Sequence, residues 1–170
     1  MVRSLSFIHL FIVLAVGYIG GALLFREIPI EASERCIGFF DPRVISTSDG
    51  SAWRPFITLL LFFLVTFLLS VNSKTRHVIL FFGAIKCVLF GLSSSFLLYS
   101  GMKIWQYAIW WFPFQFISCL LFLIYCVVLS PPFFNRVSRK ARNLQGVPVL
   151  AGMAFFIFLV EITIFHFLVR

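Results

Sequence analysis

The apolar positions of this chain fall in near-continuous runs rather than in alternating or one-sided patterns. Five runs stand out, at residues 5–25, 55–71, 78–99, 104–129 and 148–169. Each is about 17 to 26 residues long, the length an α-helix needs to cross a hydrocarbon layer roughly 30 Å thick. A membrane barrel would instead show strands of roughly 10 residues with alternating polarity. The pattern predicts an all-α, polytopic membrane bundle of about five transmembrane helices forming a single membrane domain. Polar sequence separates the runs: a long segment at 26–54, short turns at 72–77 and 100–103, and a basic loop at 130–147.

Two runs carry small residues at helical spacing. Gly83, Cys87, Gly91 and Ser95 recur at every fourth position, and Gly17 and Gly21 form a GxxxG pair in the first run. Such stripes let two helix backbones approach closely. The fourth run contains Pro113 and Gln115, a break and a polar group at a depth where both need a partner.

Composition supports the same class: 61% of residues are hydrophobic and 12% charged, outside the range of soluble domains. The formal charge of +8 points to lipid headgroups and topology rather than to nucleic acid, because the basic residues stand mostly at the ends of the runs. With the N-terminus inside, seven Lys and Arg lie on the cytoplasmic side against six outside. The acid-free cluster Arg136, Arg139, Lys140 and Arg142 lies in a short loop, where the positive-inside rule is strongest. The expected orientation is therefore N-terminus inside and C-terminus outside. Trp53, Tyr99, Trp105, Tyr107, Trp110 and Trp111 would then form an outer aromatic belt.

Chemistry is sparse. Cys36, Cys87, Cys119 and Cys126 show no CxxC or Cys/His metal spacing and read as small packing residues. His9 and His166 sit near opposite ends of the bundle, and neither reads as a metal ligand. Ser93, Ser94 and Ser95 are about 10 Å or more from Lys86 along the helix, too far for a serine–lysine pair. No nucleotide-binding, zinc-protease or paired-aspartate motif occurs, so no enzyme, cofactor or metal is expected.

The ionisable groups inside the runs are Lys86, Glu161 and, nearer an end, His166. On helices running the same way, Lys86 and Glu161 differ in depth by roughly 8 Å, within reach of two extended side chains. Three readings of this candidate ion pair stay open: a structural pair, independent snorkelling or a neutral Glu161, and a transport or proton-relay role. Segment 26–54 holds every acidic residue except Glu161, with turns marked by Pro29, Asp41-Pro42 and Asp49-Gly50. It reads as an extracytoplasmic loop, either a solvated connector or a docking surface.

The stretch IKCVLFGLSSSFLLYSGMKIWQYAIWWFPFQFI, residues 85–117, resembles the central hairpin of the stage II sporulation protein M family: a glycine-containing helix, a turn, then a helix with a proline and a nearby polar residue. The glycine-rich first run and the basic loop before the last one add to the likeness. Residues 105–112 lack the histidine, glycine and glutamate that many members carry ahead of the proline. The resemblance implies a non-catalytic scaffold in the cell membrane that anchors or positions peptidoglycan-remodelling partners, with wall hydrolases docking on segment 26–54. The alternative is a small transporter or channel component, for lipid or ion translocation, with Lys86, Pro113, Gln115 and Glu161 lining a polar path. Five helices enclose little space, so that alternative asks for a homo-oligomer or a second subunit.

Overall fold

Among the described residues, six α-helices follow one another along the chain: α1 (Val2–Glu27), α2 (Ile30–Phe40), α3 (Trp53–Val71), α4 (Ile79–Tyr99), α5 (Ile104–Leu129) and α6 (Gly146–Leu168). This computed structural model describes residues 2–45, 53–71, 75–130 and 146–168. The Asp49-Gly50 turn and the basic cluster at Arg136, Arg139, Lys140 and Arg142 lie outside the described residues. Five helices, all but α2, are long and apolar enough to span a membrane. No strand occurs among the described residues.

Helix α4 is the hub, packing against α1, α2, α3 and α5, while α6 lies along α5. The α1–α4 contact is a backbone contact, and glycine is what permits it. A Cβ on Gly91 would collide with the carbonyl of Tyr18, and one on Gly21 with the carbonyl of Val88. Gly17 stands over Cys87, where a Cβ would lie 2.5 Å from the cysteine's own Cβ. The two small-residue runs therefore interlock, and rings extend the seam: Tyr18 on Phe90 at 5.0 Å and Phe25 on Phe96 at 6.2 Å. The α4 stripe divides, however. Gly83 faces α5, where a Cβ would lie 2.8 Å from Leu123 Cδ2.

The turn between α4 and α5 uses Gly101 at φ +83°, a left-handed conformation that disfavours residues with a side chain. Six residues later α5 widens into a π turn at Tyr107–Trp111. Pro113 explains its position, because proline has no N–H to give the carbonyl four residues back and its ring crowds that carbonyl. Two consecutive indoles, Trp110 and Trp111, are buried at this turn.

Segment 26–54 departs from the expected connector. Pro29 ends α1, and residues 30–40 form a helix whose inner side carries Ser33 and Ile37 while Glu31, Glu34 and Arg35 remain exposed. This helix re-enters the bundle. Phe40 meets Phe62 of α3 at 5.8 Å, and Arg43 reaches Glu161 of α6. Phe62 lies eight residues from Arg54, and Glu161 six residues from Phe167, so the tip sits about 9–12 Å below the ends of the neighbouring spans.

Irregular backbone at such depth must satisfy its own polar groups. Here it does. The Asp41 N–H donates to the Ile37 carbonyl, Arg43 N–H to Asp41 Oδ1, Val44 N–H to the Asp41 carbonyl and Ile45 N–H to the Pro42 carbonyl, at 2.7 to 3.3 Å. Pro42 has no N–H to place.

Candidate functional site

Arg43 is the anchor of the re-entrant arm. Its Nε donates to Asp41 Oδ1 at 2.9 Å and its Nη2 to Asp41 Oδ2 at 2.7 Å, a fork-on-fork pair formed within one turn of 3₁₀ helix. The same Nη2 donates to Glu161 Oε1 at 2.7 Å, tying the arm to α6. Three aromatic rings surround the guanidinium, with centroids at 5.9 Å (Trp110), 5.9 Å (Phe158) and 5.7 Å (Phe165). Arg43 is 1% exposed and Glu161 3%. Burial opposes the charge on Arg43, but the Glu161 and Asp41 carboxylates outweigh it and hold the guanidinium above its ordinary range.

Glu161 is shared further. Gln115 Nε2 donates to the same Oε1 at a long 3.4 Å. Thus α2's tip, α5 and α6 converge on one carboxylate oxygen, and Oε2 accepts nothing from the described residues. The π turn helps bring these groups together: Trp110 packs on Phe165 at 4.8 Å beside Arg43, and Trp111 Nε1 donates to Ser94 Oγ on α4 at 3.3 Å.

A partly open cavity of about 70 Å³ adjoins this network. Its polar lining comprises Asp41, Arg43, Thr58, Lys86, Ser93, Gln115, Ser118 and Glu161, set among the rings of Phe62, Phe90, Trp111 and Phe158. Residues of both α3 and α6 line it, and α6 takes its closest backbone contact from α5 rather than from α3. Near Pro55 the two helices are bridged by Phe56, whose ring lies 5.6 Å from Phe155 and 5.5 Å from Phe158.

The direct ion pair between Lys86 and Glu161 that their depths permitted is not formed. Glu161 is taken by Arg43, and no described carboxylate lies within 4.0 Å of the Lys86 amine. Lys86 Nζ instead sits 5.4 Å from the centroid of Phe62. The two groups do line one cavity, with Gln115 beside them. Pro113 contributes the π turn rather than a contact in the site. Gly17, Gly21, Gly83 and Gly91 serve helix packing away from the polar groups, and Ser95 is half-buried on α4.

Sequence reasoning missed Asp41 and Arg43, which it placed in an extracytoplasmic loop read as either a solvated connector or a docking surface. The available signal was the spacing of Ser33, Cys36, Ile37 and Phe40, which puts the less polar positions of 30–40 on one helical side. The four cysteines are free thiols, and burial pushes that of Cys36 upward.

The fold and this site define a multi-pass helical membrane protein with a polar cavity among its spans. No family model, curated protein or solved structure matches the chain.

Proposed function

We propose that the chain is a small transporter or channel component of the cell membrane, oriented with its N-terminus in the cytoplasm, and that the cavity is its polar site. One observation carries this reading: four ionisable groups and Gln115 meet around a single cavity at membrane depth, beneath a re-entrant arm. Ionisable groups inside membrane spans are costly and commonly mark substrate or ion pathways. Non-helical backbone at that depth commonly lines such sites. The cavity is small, so passage would use a second copy of the chain, which reconstitution of the purified protein supplies.

The test is flux in proteoliposomes, following both a reducible fluorescent phospholipid and the collapse of an ion gradient. The double variant Lys86→Met, Glu161→Leu leaves Arg43 and Asp41 as a matched pair and should fold. Loss of wild-type flux in that folded variant supports the reading. Equal flux in both proteins, or none in the wild type, overturns it.

A second reading is a non-catalytic scaffold, as the likeness to the stage II sporulation protein M family implies, with wall-remodelling partners outside the membrane. It is favoured by the outer side of α2, where Phe39 is 72% exposed beside exposed Ile30, Glu31, Glu34 and Arg35. A photoreactive residue at position 39 that traps a secreted wall hydrolase in native membranes would select this role.

A further inference from the structure

We infer that the cavity takes a compact zwitterion, a phosphate joined to a primary ammonium, of the kind carried by an ethanolamine phospholipid headgroup. This rests on reading the cavity as a ligand site, and it names the ligand's chemistry. The first argument is charge balance. Asp41 and Glu161 supply two negative charges, and Arg43 and Lys86 two positive ones. A bare anion or cation would leave a net charge in a low-dielectric site, whereas a zwitterion leaves none.

The second argument is polarity. Arg43 is engaged by two carboxylates, so that side of the cavity is left with one negative charge in excess. Lys86, without a carboxylate partner, makes the opposing positive pole. A ligand whose dipole runs the other way would set its phosphate at Lys86 and its ammonium at Glu161, where Oε2 is unused. The hydroxyls of Ser93 and Ser118 line the cavity and bond to no described residue, which suits an end rich in acceptor oxygens.

The third argument is access and size. The cavity is lined by both α3 and α6, whose backbones stand apart and meet through the ring of Phe56, so a headgroup would enter from the side with its acyl chains left in lipid. Its volume of about 70 Å³ is several times the roughly 10–15 Å³ that a single water requires. A primary ammonium can donate hydrogen bonds to a carboxylate, and a trimethylated one cannot. That distinction separates ethanolamine from choline headgroups.

The experiment is native mass spectrometry of the full chain released from vesicles of equal phosphatidylethanolamine, phosphatidylglycerol and phosphatidylcholine. Phosphatidylethanolamine should be retained over each of the others by roughly tenfold, equivalent to about 1.4 kcal/mol. Lys86→Met and Glu161→Gln should each abolish that preference, and Lys86→Arg should keep most of it. Glu161→Gln retains a hydrogen-bonding group for Arg43, and a folded Lys86→Met protein alone suffices if it does not fold.

Equal retention of phosphatidylglycerol would overturn the inference in favour of a simple anion site. Equal retention of phosphatidylcholine would overturn it in favour of general lipid adhesion. Displacement of the lipid by free glycerophosphoethanolamine, which keeps the phosphodiester and so the zero net charge, at comparable concentration would keep the zwitterion chemistry and assign a soluble source. Flux without ethanolamine preference sinks this inference and leaves the transport reading standing. Preference without flux does the reverse.

Discussion

The two sides of α4 hold the bundle together in opposite ways. Towards α1 the contact is dry and close, with Gly91 under the Tyr18 carbonyl and Gly21 under the Val88 carbonyl. Towards α3 and α6 the helices stand around a cavity, and an arginine from outside the spans supplies the connection. Glycine packing works by excluding everything but backbone, so it has one geometry. A charged anchor works through a few directed bonds between side chains. The first side therefore reads as fixed framework, and the second as the region where a ligand or a movement can be accommodated.

The largest expected effect comes from cutting the anchor. Arg43→Met would leave two buried carboxylates without their cation, and removing one partner of a buried pair costs about 3–5 kcal/mol. Thermal unfolding of the purified protein in detergent should show this loss. The triple change Asp41→Asn, Arg43→Met, Glu161→Leu should recover most of it, because apolar replacement of a whole buried charge set is often near neutral. If the triple variant is no better than the single one, packing of the Arg43 stem against Trp110, Phe158 and Phe165 is the dominant contribution.

Next in size is the framework. Gly91→Leu forces atoms into the Tyr18 backbone, and overpacking of this kind costs about 1–3 kcal/mol. Gly20 has nothing within 4 Å of a built Cβ, so Gly20→Leu should change stability by less than about 0.5 kcal/mol. The same melting assay, run on both variants, tests whether α1 is seated through Gly17 and Gly21 alone. A large loss at Gly20 would mean that the outer side of α1 is also packed, against a second copy or another subunit.

Much of the framework was legible because it depends on local run length and spacing. The five spans follow from apolar runs, and the Gly17 and Gly21 pair, legible as a place for some other helix, lies against α4. The stripe from Gly83 to Ser95 was legible as small but not as divided. Gly83 and Gly91 are eight residues apart, far enough round a helix of 3.6 residues per turn to meet different neighbours. The site was only half legible. Depth along parallel helices brought Lys86 and Glu161 to one region, yet the partner of Glu161 came from a segment whose charges suggested water. Nothing local in Asp41-Pro42-Arg43 says that its guanidinium will be 1% exposed, because that burial is created by rings on α5 and α6.

A smaller effect is expected at Gln115. Its bond to Glu161 is 3.4 Å long, and polar contacts between membrane helices average about 0.6 kcal/mol. Gln115→Leu should cost about that much alone and nothing further once Glu161 has been replaced. A double-mutant cycle with Glu161→Leu, read by unfolding, measures the coupling directly. A coupling several times larger would place Gln115 among the anchor's principal bonds rather than at its edge.

The smallest stability effect is expected at Lys86, and it most sharply separates the two sides of α4. With no described carboxylate within 4.0 Å, Lys86 has no ion pair to lose. Methionine can fill the same space along Phe62 without a charge to solvate. Lys86→Met should therefore shift stability by no more than about 0.5 kcal/mol, while removing the positive pole of the cavity. Unfolding and flux measured on the same preparation test both halves of that statement. Unchanged stability with lost flux marks Lys86 as a working group rather than a structural one. A loss of stability comparable to that of Arg43→Met would mean that the excess negative charge at Glu161 depends on Lys86 across the cavity, making the charges on its two walls one structural unit.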